Sequence, residues 1–116
     1  MAYLALVVDD VVVNKFELND DATTIGRSPD NMIQIEEQTV SSSHAIVHKT
    51  NDPYMENAIR FVLEDLKSTN ATKVNGNKIS LQQLFHNDLI EVGYNQFRFV
   101  DETQRNLERT AVILQD

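Results

Sequence analysis

Four short polar clusters carry the side chains with the most chemical promise: Ile25-Gly26-Arg27-Ser28, Val40-Ser41-Ser42-Ser43-His44-Ala45, Ser68-Thr69-Asn70-Ala71-Thr72 and Val74-Asn75-Gly76. Together they hold a guanidinium, an imidazole, several hydroxyls and two carboxamides. Such groups, with backbone N–H donors, suit a phosphate dianion when loops bring them together. Arg27 follows Gly26 at the end of an expected strand, where its side chain can reach over an adjacent loop. Ser41 and Ser42 offer hydroxyl and amide donors side by side, and Thr69 and Asn70 add a hydroxyl and a carboxamide. Each cluster alone also has a plainer reading. Gly26-Arg27 is a turn with a surface arginine, and Ser41-Ser42-Ser43 a polar loop. Ser68-Thr69-Asn70 is turn chemistry in which side chains bond their own backbone, and Asn75-Gly76 is a type I′ turn.

Other chemistries find less support. His44 and His48 have the spacing of a helical metal pair, but Ala45-Ile46-Val47 between them is strand-like. On a strand, residues four apart are separated by roughly 13 Å, too far for one ion. His44 therefore reads as a buried hydrogen-bonding residue, His48 and His86 as surface residues, and no metal or other cofactor is expected. The three glycines, Gly26, Gly76 and Gly93, form neither a P-loop nor a dinucleotide fingerprint. There is no cysteine, hence no thiolate nucleophile or disulfide framework. No nucleophile-elbow sequence is present, so an enzyme is the weakest of the functional classes.

The formal charge of −8 over 116 residues argues against nucleic acid and anionic membranes as partners. Met1-Ala2-Tyr3-Leu4 leads into an apolar run broken by Asp9 and Asp10, without a basic n-region or a cleavage site. The expectation is a soluble, cytoplasmic chain of one domain.

The elements that must position the clusters read as strands. Ala5–Val8 and Val11–Val13 flank Asp9-Asp10 in a tight hairpin, and Phe16-Glu17-Leu18 alternates as a further strand. Thr23–Ile25, Met32–Ile35, His44–Lys49, Ala58–Leu66, Asp88–Val92 and Gln96–Val100 follow, with a turn at Gly93-Tyr94-Asn95. Ile79 to Phe85, with Leu81, Leu84 and Phe85, reads as a short amphipathic turn. About ten short strands at close intervals make an all-β sandwich or barrel. From Asp101 the chain is polar, then apolar again at Thr110-Ala111-Val112-Ile113-Leu114, so residues 1–100 read as the domain and 101–116 as a tail.

The order and spacing of the four clusters, from about Leu4 to Val100, resemble the forkhead-associated (FHA) domain. That resemblance implies an FHA/SMAD-like β-sandwich of the eleven-stranded type, two mostly antiparallel sheets whose loops at one end bind phosphothreonine. It implies phosphate or peptide contacts for Arg27, Ser41, Thr69 and Asn70, with Ser42 beside them, and architectural roles for Gly26, His44 and Asn75. It also implies a non-catalytic reader of threonine-phosphorylated protein in Ser/Thr kinase signalling. The alternative is an interaction module of the same fold that binds partners without phosphate. Two positions depart from the family pattern: Ser42 stands where arginine is common, and Ala71 where glycine is usual. Lys67 and Lys73 flank the second departure as candidate compensating charges. In the tail, Thr110 with Ile113 three residues on has the form of a ligand for such a site, if phosphorylated; the alternative, and the favoured reading, is that Val112-Ile113-Leu114 packs on the sandwich or continues toward a partner.

Overall fold

Short runs of β-branched and aromatic residues, closed by turn formers, give this chain its strands. The computed structural model describes residues 1–55 and 58–103. Eleven strands run through them: β1 (Ala2–Val8), β2 (Val11–Glu17), β3 (Ala22–Gly26), β4 (Ile33–Gln34), β5 (Ala45–Asn51), β6 (Ile59–Asp65), β7 (Thr72–Val74), β8 (Asn77–Ile79), β9 (Leu81–Leu84), β10 (Leu89–Val92) and β11 (Asn95–Asp101). One sheet has the order β2-β1-β11-β10-β7-β8 and the other β4-β3-β5-β6-β9. All pairings are antiparallel except that of β3 with β4. The expected two-sheet β-sandwich is the fold observed.

The two sheets close over one core. Leu4, Ile25, Leu63, Leu84, Ile90, Phe97 and Phe99 are all fully buried. Phe61 meets Phe99 with ring centroids 5.5 Å apart, and Phe16 meets Phe97 edge-on at 6.2 Å. Alternation explains which side chains are inside: on β11, Phe97, Phe99 and Asp101 are buried while Gln96, Arg98 and Val100 are not. Two hairpins turn through left-handed residues. Asp9 and Asp10 have φ of 51° and 65°, and Asn75 and Gly76 have 52° and 85°. These pairs give the turn twist that suits neighbouring strands.

Three expectations are corrected. Val11–Val13 and Phe16–Leu18 are not separate strands. All but Leu18 belong to β2, which continues to Glu17 because a bulge opposite Leu6 and Val7 absorbs one residue; Leu18 follows the strand. Met32–Ile35 contributes only Ile33 and Gln34 to β4. Ile79–Phe85 is not an amphipathic turn: Ile79 ends β8, and Leu81–Leu84 pairs with Phe61–Glu64 of β6. Leu81, Leu84 and Phe85 mimic helical spacing, yet only Leu84 is buried. The tail reading, including Thr110 and the aliphatic run, lies outside the described residues from 104 onward. β11 itself extends to Asp101, which pairs with Ala2.

The β9 register predicts unequal leucines. Leu84→Ala should cost about 2–5 kcal/mol by denaturant unfolding, as a large-to-small change in a closed core. Leu81→Ala, at a residue 64% exposed, should stay within about 0.5 kcal/mol. Equal losses would contradict the pairing of β9 with β6.

Candidate functional site

The end of the sandwich where β3, β6 and β10 finish collects four connections: residues 27–32, 35–44, 66–71 and the Gly93-Tyr94 turn. Between β3 and β4, the Arg27 N–H donates to the Ser41 carbonyl at 2.9 Å and the Ser28 N–H to the Ser42 carbonyl at 3.2 Å. Asn31 Nδ2 donates to the same Ser42 carbonyl at 2.7 Å and to Ser28 O at 2.9 Å. The two loops are thereby laid backbone to backbone. Gly26 permits this approach, since a β-carbon there would lie 2.3 Å from Ser42 O.

His44 joins the serine loop to the loop after β6. Its side chain is fully buried. Nδ1 accepts from the Ser41 N–H at 3.0 Å, and Nε2 lies 2.9 Å from the Ala71 carbonyl. An N–H faces Nδ1 and a carbonyl faces Nε2, so the neutral tautomer with hydrogen on Nε2 satisfies both. The His44 backbone adds two bonds, its N–H to Ile25 O and its carbonyl from Leu66 N–H, each 2.9 Å. Ala71 sits at φ 69° and Lys67 at φ 58°. The usual glycine at position 71 is thus replaced by a residue held in the left-handed region, at a cost of about 1–2 kcal/mol.

The proposed ligand-facing groups converge on this scaffold. Ser41 Oγ accepts from the Thr69 N–H at 3.0 Å, which leaves the serine hydroxyl proton to donate elsewhere. Ser42 is exposed, with only its carbonyl held from below. Thr69 and Asn70 are exposed, and Asn70 Nδ2 donates to Thr39 O at 2.9 Å. Arg27 is exposed. Among the described residues the one ion pair is His48–Glu64 at 2.9 Å, so no carboxylate lies within salt-bridge reach of Arg27. Lys67 lies within the loop after β6. Lys73 lies on β7, opposite Lys78 and Glu91. Asn75 stands apart from these donors. Its Nδ2 donates to Asp88 Oδ1 and its Oδ1 accepts from the Leu89 N–H, both at 2.9 Å, so it ties the β7–β8 hairpin to β10.

Sequence reasoning missed three residues that hold the loops. Asn31 is described above. Thr39 takes Asn70 on its carbonyl and the Tyr94 N–H on Oγ1 at 3.0 Å, while its own hydroxyl donates to Glu37. Gly93, at φ 59°, leaves room for Thr39, whose Oγ1 would lie 2.5 Å from an added β-carbon. The third is Asp65, at the end of β6. Its Oδ1 accepts from the hydroxyls of Ser68 and Thr72, and its Oδ2 from the Ser68 N–H at 3.2 Å. The only signal for Asp65 was its position three residues before Ser68, a spacing common in ordinary turns.

Comparison with known proteins fits this geometry. The family model described as the FHA domain matches residues 23–93, which carry all four clusters. The chain belongs to the FHA family. The FhaA FHA domain, solved in complex with the intracellular domain of Rv3910, is 27% identical with a TM-score of 0.71, covering 85% of this chain and 99% of that one. The FHA domain of the CT664 protein from Chlamydia trachomatis is 25% identical with a TM-score of 0.75, covering 86% and 96%. EmbR of Mycobacterium tuberculosis, solved with a low-affinity phosphopeptide, is 30% identical over 85% of this chain and 24% of that one, with a TM-score of 0.71. Comparison with curated protein sequences gives no match.

Asp65 supplies a pH dependence. Burial raises its pKa, but the hydroxyls of Ser68 and Thr72 and the Ser68 N–H outweigh this and leave it below the ordinary carboxylate value. A depressed folded pKa gives stability that is present above the unfolded value and lost as pH falls through the folded one. Asp65→Asn should therefore cost about 1 kcal/mol near neutral pH, and the difference from wild type should shrink below about pH 4. Thermal melts from pH 7 to pH 2 measure it. A difference that stays constant across that range would contradict the assignment.

Proposed function

We propose that this FHA domain is a non-catalytic reader of threonine-phosphorylated protein. The observation that carries the reading is the exposed Arg27, held beside Ser41, Ser42, Thr69 and Asn70 by a fixed loop scaffold in a molecule of net charge −8. Arg27 supplies the charge-assisted donor, while the Ser41 and Thr69 hydroxyls supply neutral ones. Ser42 stands beside them, and Asn70 engages the peptide backbone through the part of its carboxamide not bonded to Thr39. His44 and Gly26 keep the loops in place, and Asn75 braces the β7–β8 hairpin against β10, without touching ligand. The solved relatives described as phosphothreonine-dependent or phosphopeptide-bound support the same chemistry.

A dianion bound in this way draws its affinity from local donors, and the acidic remainder of the molecule disfavours nucleic acid and anionic membrane as competing partners. The partner is then a substrate of a Ser/Thr kinase, met in the cytoplasm. Binding through a sheet face or edge without phosphate is the competing mode.

Arg27→Ala tests the reading. Isothermal calorimetry with a phosphothreonine peptide selected from an oriented library should show a roughly ten- to hundredfold loss of affinity, corresponding to about 1.5–3 kcal/mol for a charged hydrogen bond. The melting temperature should hold, because the Arg27 side chain is exposed. Unchanged affinity would overturn the assignment.

A further inference from the structure

A second concave feature lies at the other end of the sandwich. β11 runs from Asn95, which donates to Glu37 near the phosphate loops, to Asp101, which pairs with Ala2. β6 likewise runs from Ile59 to Asp65 at the recognition end. At the far end, a groove of about 480 Å³ opens between the sheets. Ala2, Leu18 and Phe61 are buried residues lining it, and Met1, Met55 and Ile59 are exposed ones. The lining is thus core-like on one side and open on the other.

We propose that this groove is a binding site for an aliphatic segment, and that its occupant is Val112-Ile113-Leu114 of the same chain. Three observations converge on that occupant. First, Asp101 and Thr103 themselves line the groove, so the described chain ends at its wall. Val112 lies nine residues beyond Thr103. A span of that length reaches at most about 30 Å, enough to double back over the groove.

Second, the chemistry matches. Residues 104–110 are almost wholly polar, and Ala111-Val112-Ile113-Leu114 is the one apolar run beyond the groove. The volume falls among pockets of roughly 300–1,000 Å³ that enclose compact apolar ligands. Third, the two cations of the groove are not paired with its own carboxylates, Asp52 and Asp101. Lys49 Nζ donates to Asn19 O at 3.5 Å and Arg60 Nε to Thr50 Oγ1 at 3.4 Å. Among the described residues neither has a carboxylate within salt-bridge reach. The aliphatic run is followed by Asp116, whose carboxylate can meet one of these cations, while Glu108 before the run is offset by Arg109.

A tethered segment also has a high local concentration, which a free competitor lacks. A second copy would bring another net charge of −8 against this one. This site is independent of the phosphothreonine reading, which concerns the opposite end of the molecule.

The chain has no cysteine, so Gln115→Cys in the full chain gives a single attachment point for a nitroxide. The amide signals of Leu18, Asn19, Ile59 and Arg60 should lose most of their intensity, while those of Arg27, Ser41 and Thr69 keep theirs. Adding Ile113→Asp to the labelled chain should restore the groove signals without changing the melting of the sandwich core. Full-strength groove signals, or broadening at the recognition loops instead, would overturn the proposal. So would broadening of an isotope-labelled chain by an unlabelled nitroxide-bearing one, which would make the occupant a second copy. Shifts at Arg27 on adding a phosphothreonine peptide to the same sample report separately on the other end.

Discussion

The buried imidazole of His44 is the constraint on which the recognition end depends. It spans two loops distant in sequence, taking the Ser41 N–H on one nitrogen and meeting the Ala71 carbonyl with the other. Neither loop has regular secondary structure to satisfy those backbone groups. Without the ring, a buried donor and a buried acceptor would each be left unmade, at about 1–3 kcal/mol apiece. The ring must be neutral with its hydrogen on Nε2, because protonating Nδ1 would set a donor against the Ser41 N–H. Ser41 is fixed by this bond, and Ser41 Oγ in turn fixes the Thr69 N–H. A single side chain thus sets the spacing between two of the groups proposed to meet phosphate.

Around that brace the remaining ties are backbone contacts closed by small or amide-bearing residues. Gly26 lets the β3–β4 loop touch Ser42, Asn31 clamps the same carbonyl, and Thr39 links Asn70 to the Gly93-Tyr94 turn. Donors arranged in this way lose little freedom when a ligand arrives, the general advantage of a preorganised site. The strain at Ala71 and Lys67 belongs to the same economy: left-handed residues bend the loop so that the Ala71 carbonyl meets His44. Ser42 leaves the site with fewer cations than the family commonly carries. Arg27 is therefore asked to do more.

Much of this was legible in the sequence because it is local. Asp9-Asp10 and Asn75-Gly76 are residue pairs that tolerate positive φ, and each turns a hairpin. Phe61 and Leu63 alternate with Arg60, Val62 and Glu64 as a half-buried strand requires, and both are buried, while Ile59 in the same phase lies exposed at the strand's start. The four clusters were readable because their order along the chain is itself the signal. What escaped was non-local or ambiguous in period. Leu81, Leu84 and Phe85 satisfy helical spacing, and only the pairing with β6 decides that they form a strand. Thr39 and Asn31 are unremarkable in sequence, and their partners Tyr94, Asn70 and Ser42 become neighbours only after the sheets have closed.

The central claim is that the loop end braced by His44, and no sheet face, recognises a phosphorylated threonine. Its most direct test is an NMR titration of the full chain with one peptide in phosphothreonine, phosphoserine and unmodified forms. The account predicts that the phosphothreonine form shifts the amides of Arg27, Ser41, Ser42, Thr69 and Asn70, that phosphoserine does so more weakly, and that the unmodified peptide leaves them in place. Equal shifts with all three peptides, or shifts centred on the exposed face of either sheet, would contradict it.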